Sequence, residues 1–121
     1  MPKSALVVDD SSTMRLMISR VLAQAGFSVT QASNGKEALE KLDGAPVDLM
    51  ITDLNMPVMD GLELIREVRA NPKYKFTPIV FLTTESQADK MMEGKKAGAT
   101  AWMLKPLKPD VMMQTIARIF P

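Results

Sequence analysis

The sequence predicts an α/β fold, a doubly wound five-stranded parallel sheet with five helices on its two sides. Three observations carry that prediction. Continuous apolar runs of strand length recur along the chain, as strands covered on both faces require. Between them the apolar residues fall at helical spacing, so strand and helix alternate from one end to the other. Gly, Pro, Asn and Asp mark the junctions.

Ala5–Val8 is the first apolar run and ends in Asp9-Asp10. Ser11 or Ser12 can cap the helix that follows. There Met14, Met17, Ile18, Val21, Leu22 and Ala25 recur at helical spacing, and Gly26 closes it. Phe27–Ala32 alternates weakly, as a peripheral strand would. Asn34-Gly35-Lys36-Glu37 resembles a capping box with Asn in the Ser/Thr place, and it opens a short helix with Ala38, Leu39 and Leu42 inward. The third strand, Val47–Ile51, delivers Asp53. Pro57 and Asp60-Gly61 then turn the chain into a helix carrying Leu62, Ile65 and Val68 and ended by Asn71-Pro72.

Pro78–Thr83 is the fourth strand. Ser86-Gln87-Ala88-Asp89 opens a fourth helix with a weak stripe of Ala88, Met91 and Met92, after which Lys95 and Lys96 stand where apolar residues should continue. Gly94 in this helix costs roughly 1 kcal/mol relative to alanine, which makes it the loosest element expected. Ala99–Leu104 is the fifth strand, ending in Lys105-Pro106. Pro109 suits the first turn of the last helix, with Met112, Met113, Ile116, Ala117 and Phe120 inward.

At 121 residues the chain has the length of one domain, 1–121, large enough for a core without staples. Its 15 basic and 14 acidic side chains leave no general electrostatic footprint for nucleic acid. The absence of cysteine excludes disulfides and thiolate metal sites, and the absence of histidine removes the usual proton shuttle. No stretch approaches the ~18 apolar residues of a membrane span, and no signal-peptide pattern opens the chain. The expectation is a cytoplasmic monomer with no membrane or nucleic-acid partner. No output domain is expected, since the sequence ends with the fifth helix.

In a parallel sheet all carboxyl ends share one edge, where open α/β folds place their chemistry. Asp9 and Asp10 after the first strand, Asp53 after the third, Thr83 at the end of the fourth and Lys105 after the fifth therefore converge. Three crowded carboxylates repel one another unless a cation lies between them, and Lys105 offsets only one charge. A divalent ion held by oxygen ligands, Mg2+, suits such a site, since no nitrogen or sulfur ligand favours zinc. Phosphoryl transfer to Asp53 fits this set, because a carboxylate can attack phosphorus while Lys105 and Thr83 stabilise the oxygens that carry the charge. Taken alone, Asp53 also reads as a capping or turn aspartate.

Asp9-Asp10, Asp53, Thr83 and Lys105-Pro106 resemble the receiver domain of two-component response regulators. Asp-Asp-Ser-Ser-Thr-Met-Arg (9–15) and Asp-Leu-Asn-Met-Pro-Val-Met-Asp-Gly (53–61) are similar to the stand-alone chemotaxis regulators of the CheY type. The resemblance implies a flavodoxin-like sheet of order 2-1-3-4-5 and Asp53 as phosphoacceptor. A histidine kinase of the CheA type, or a small phosphodonor, would supply the group. It implies that Asp10, Asp53 and the main-chain carbonyl of Asn55 hold Mg2+, with Asp9 acting mostly through water, and that Lys105-Pro106 is cis. The chain would catalyse only its own phosphorylation and dephosphorylation.

The resemblance also implies a switch in which Thr83 moves toward the phosphoryl group and an aromatic on the fifth strand turns inward. That aromatic is Trp102, a departure from the family's usual Tyr, Phe or His; the plainer alternative is a rim tryptophan that packs. Asn55 and Glu85 would flank the hydrolytic water, or else be solvated loop residues. The fourth helix, fifth strand and fifth helix would form the face offered to a target, such as a flagellar motor switch protein, with a phosphatase as a further partner. Met91, Met92, Met103, Met112 and Met113 lie there, readable as an adaptable docking surface or as core filling, and Lys90, Lys95, Lys96 and Lys108 make it basic. A phosphate sink or relay receiver would look the same. A haloacid-dehalogenase-type phosphatase would need an Asp-x-Asp pair and a cap. In a flavin carrier with a phosphate loop at Ser11-Ser12-Thr13, Asp9 and Asp10 would repel the phosphate.

Overall fold

The computed structural model describes residues 3–84 and 88–120. Five strands, β1 (Lys3–Val8), β2 (Phe27–Ala32), β3 (Leu49–Asp53), β4 (Ile79–Thr83) and β5 (Ala101–Leu104), form one parallel sheet of order β2-β1-β3-β4-β5. The helices are α1 (Ser12–Gln24), α2 (Gly35–Leu42), α3 (Gly61–Ala70), α4 (Ala88–Ala97) and α5 (Pro109–Ile119), with a 3₁₀ turn at Pro72–Tyr74.

Strand residues alternate between two cores because successive side chains point to opposite faces. Leu6, Val8, Met50, Ile79 and Phe81 pack with α2 and α3, whereas Ala5, Val7, Leu49, Ile51, Val80 and Leu82 pack with α1 and α5. β3 and β4 are buried along their whole length, as their apolar stretches Leu49–Ile51 and Ile79–Leu82 lead one to expect. The third strand starts two residues later than the sequence suggested. Val47 and Asp48 precede it, and Asp48 exchanges bonds with Ser4: its N–H donates to the Ser4 carbonyl at 2.8 Å, and its Oδ2 accepts the Ser4 N–H at 2.7 Å. Ala99 and Thr100 likewise precede β5.

Side chains cap three helices, at the expected Ser11 and Asn34 and at Asp60, which the sequence marks only as part of a turn. Ser11 Oγ accepts the Met14 N–H at 3.2 Å, Asn34 Oδ1 the Glu37 N–H at 2.9 Å, and Asp60 Oδ1 the Glu63 N–H at 2.9 Å. The return half of the box at Glu37 goes to Ser33, through its hydroxyl at 2.6 Å and N–H at 3.3 Å, rather than to Asn34. Gly61 is required by a close approach: a Cβ there would lie 2.2 Å from the Asp53 carbonyl oxygen, so only glycine brings the start of α3 against the end of β3.

Two helices differ from their expected faces. The inward line of α5 is Met112, Thr115 and Ile116 with Ile119 half-buried, while Met113 and Ala117 are exposed. The Thr115 hydroxyl enters the core because it donates to the Val111 carbonyl at 3.0 Å, a polar residue satisfied by its own helix. On α4, Ala88 and Met92 face out and Gly94 is the one buried residue. A Cβ at Gly94 would lie 2.5 Å from the Phe81 ring, so the glycine sets how closely α4 sits on β4 rather than merely loosening the helix. The Ser86-Gln87 opening of this helix lies outside the described residues.

Candidate functional site

The sheet gathers the chemistry-bearing residues at its carboxyl edge. Asp9 leaves β1 with its N–H bonded to the Ala32 carbonyl at 3.1 Å, and it is buried. Its Oδ1 accepts the Ser11 N–H at 2.9 Å, and its Oδ2 is buried without a hydrogen-bond partner. Asp53 ends β3, also buried. Its Oδ1 accepts the N–H groups of Leu54 at 2.8 Å and Asn55 at 3.4 Å, and its Oδ2 accepts from Lys105 Nζ at 2.9 Å. Lys105 reaches it from the end of β5, where its own N–H bonds to the Thr83 carbonyl at 2.8 Å; the Lys105-Pro106 peptide is cis.

Asp10 is exposed beside these two, and one carboxylate oxygen from each of Asp9, Asp10 and Asp53 lies within 4.8 Å of the others. Burial pushes the Asp9 carboxyl above its ordinary value. The Ser11 N–H draws it back, the charges of Asp53 and Asp10 push it further up, and Lys105 opposes them. Thr83, the last residue of β4, is buried with its hydroxyl 3.5 Å from the Thr84 carbonyl.

Trp102 lies on β5 opposite Phe81 in register, stacked on it at 6.3 Å and 30°. Lys95 Nζ also sits 5.1 Å from the indole centroid, and 38 % of the residue remains exposed. The indole thus sits at the rim, in contact with both an aromatic ring and a cation. Asn55 is exposed and bonds to Asp53 through its main chain. Glu85 lies outside the described residues.

The donor set fits a hard divalent cation. It consists of carboxylate oxygens alone, one of them a buried oxygen with no partner, and one lysine leaves the charge unbalanced.

Two features were not legible in the sequence. Arg15 Nη1 donates to the Asp9 carbonyl at 2.6 Å and its Nε to Gln31 Oε1 at 3.3 Å. Arg69 donates to the carbonyls of Gly98, Tyr74, Lys75 and Thr77 at 2.6–3.1 Å. Arg69 has no local pattern that separates it from a solvated helix residue, and Arg15, although it closes the 9–15 motif, is given no contact by that motif.

A five-stranded parallel sheet with an acidic cluster and a lysine at its carboxyl edge defines a receiver domain, and the family model for the response regulator receiver domain matches residues 5–117. The chain belongs to that family, whose general role is phosphorylation-dependent switching. Within it the chain is CheY-like. It is 43% identical over 113 residues to chemotaxis protein CheY1 of Helicobacter pylori, covering 92% of this chain and 91% of that protein. It is 39% identical over 116 residues to chemotaxis protein CheY of Pseudomonas aeruginosa, covering 95% and 94%. The structure of chemotaxis response regulator CheY4 of Vibrio cholerae superposes with a TM-score of 0.92 at 45% identity, over 98% of this chain and 99% of that one. A sensor-kinase receiver domain from Pseudomonas aeruginosa, 25% identical with a TM-score of 0.88 over 98% and 97% of the chains, has a magnesium ion coordinated in its active site cleft. No helix among the described residues is long and apolar enough to cross a membrane.

Proposed function

We propose that this chain is a chemotaxis switch that accepts a phosphoryl group on Asp53 from a histidine kinase in a magnesium-dependent reaction. The carrying observation is the Lys105–Asp53 ion pair of 2.9 Å set within the three-carboxylate cluster. Asp9, Asp10 and Asp53, with the Asn55 carbonyl, would hold the magnesium ion. Once bound, magnesium would neutralise charge on the phosphoryl oxygens.

The remaining work falls to the chain's own groups. The N–H groups of Leu54 and Asn55 hold Asp53 Oδ1 and so fix the direction in which the carboxylate faces the cleft. Its attack forms an oxygen–phosphorus bond as the donor's bond to phosphorus breaks. Lys105, relieved of its partner charge, can then pair with a phosphoryl oxygen, and the Thr83 hydroxyl can donate to another. Asn55 and Glu85 are assigned to the hydrolytic water by family resemblance.

The signal would leave through the α4–β5–α5 face. Trp102, Leu104, Pro106, Val111 and the cations Lys108 and Arg118 line a groove there. Of the methionines, Met103 and Met112 are core residues, whereas Met92 and Met113 are exposed and able to repack around a partner. The target is a protein, with a flagellar motor switch protein as the leading candidate.

The test follows the emission of Trp102, the sole tryptophan, during addition of acetyl phosphate or beryllofluoride with magnesium. The chain should respond and Asp53→Asn should not; a response that survives Asp53→Asn overturns the assignment.

A further inference from the structure

Asp10 is the least supported member of the acidic cluster. Its side chain is exposed and makes no hydrogen bond or ion pair among the described residues, so the backbone alone aims it. Asp9, by contrast, is held by Ala32 and Ser11. The carbonyl that Arg15 grips at 2.6 Å belongs to the peptide joining Asp9 to Asp10. A peptide is a rigid plane, so pinning its oxygen fixes the direction in which the Asp10 N and Cα leave. Arg15 is itself fixed by the first turn of α1, where its N–H bonds to the Ser11 carbonyl at 3.0 Å, and its Nε reaches Gln31 on β2. One guanidinium thus ties the end of β1, the start of α1 and the end of β2 at the base of the cluster.

We propose that Arg15 is a positioning residue for cation binding: by clamping the Asp9–Asp10 peptide to β2 it aims the Asp10 carboxylate at the cleft shared with Asp9 and Asp53. This rests on reading that cluster as the magnesium site. Charge alone argues the opposite way, since a neighbouring cation repels magnesium and its removal would tighten binding. Outer contacts that orient metal ligands are worth roughly 10–100-fold in affinity, which is more than screened repulsion at an open cleft supplies.

The experiment is a magnesium titration by calorimetry on the whole chain and three variants, with far-UV circular dichroism confirming that each is folded. Arg15→Gln should bind magnesium roughly tenfold more weakly at unchanged helix content. Arg15→Lys keeps the charge but not the fork and should recover only part of the loss. Gln31→Ala, which leaves Arg15 in place with its Nε unanchored, should weaken binding in the same direction by a smaller factor, and it serves even where Arg15→Gln folds poorly. Unchanged or tighter binding in Arg15→Gln or Gln31→Ala, or full recovery by Arg15→Lys, overturns the role of the clamp while leaving the site standing. An unmodified chain that binds no magnesium overturns the site and the clamp together.

Discussion

Replacing Gly94 with alanine sets two effects of known size against each other. Helix propensity alone favours the change by about 1 kcal/mol. The added Cβ, however, would stand 2.5 Å from Cε1 and Cζ of Phe81 and 3.1 Å from Cδ1, where carbon atoms prefer about 3.5–4.0 Å. The ring is fully buried and is stacked against Trp102 on its strand neighbour, so any retreat disturbs that packing. Overpacking of this kind costs about 1–3 kcal/mol. The balance is a net loss of about 0–2 kcal/mol, accompanied by a change in Trp102 emission as its stacking partner shifts. Urea unfolding followed by both circular dichroism and tryptophan fluorescence reads it. Adding Phe81→Leu should make the pair less than additive, because the smaller side chain vacates the contested space. A Gly94→Ala protein more stable than the parent, by the full propensity gain, would refute the packing argument.

Other perturbations follow from single contacts. Burial holds the Asp9 carboxyl above 3.8, so between that value and the raised one the native chain binds more protons than the unfolded chain, and stability falls as pH rises through that window. Above the window the penalty persists, so Asp9→Asn should raise the urea midpoint at neutral pH in chelator, and magnesium should narrow or reverse the difference. Val58 holds φ at 71° with 76 % of its surface exposed, a left-handed conformation in a β-branched residue, so Val58→Asn should stabilise the chain by about 1 kcal/mol in the same assay. Arg69→Ala removes four carbonyl contacts that join α3 to the strand entrances and should cost about 2–3 kcal/mol, with a correspondingly lower melting temperature. Met91→Ala with Met92→Ala should weaken target binding in a titration while phosphorylation proceeds unchanged.

The strand–helix order, the caps at Ser11 and Asn34, and the residues of the acidic edge were legible because each depends on local pattern or on one topological rule. Parallel strands align their carboxyl ends, so the residue after each strand identifies the edge without any side-chain geometry. What failed to show was set by contacts between distant segments. Gly94 reads as a defect until Phe81, thirteen positions earlier, is seen against it, and the outward turn of Met92 follows from that contact. The phase of α5 was misread because Met113 and Ala117 are apolar yet exposed, while Thr115 is polar yet satisfied inside. Arg15 and Arg69 act on main-chain carbonyls, and the sequence does not reveal which carbonyls lack a partner.

Peptide mapping by mass spectrometry after incubation with acetyl phosphate tests the central claim most directly, that the carboxylate cluster makes Asp53 a magnesium-dependent phosphoacceptor. The account predicts one added phosphoryl group, on the peptide containing Asp53, lost on chelation of magnesium and absent from Asp53→Asn. A phosphoryl group on another residue, or one that forms equally well in chelator, would contradict it.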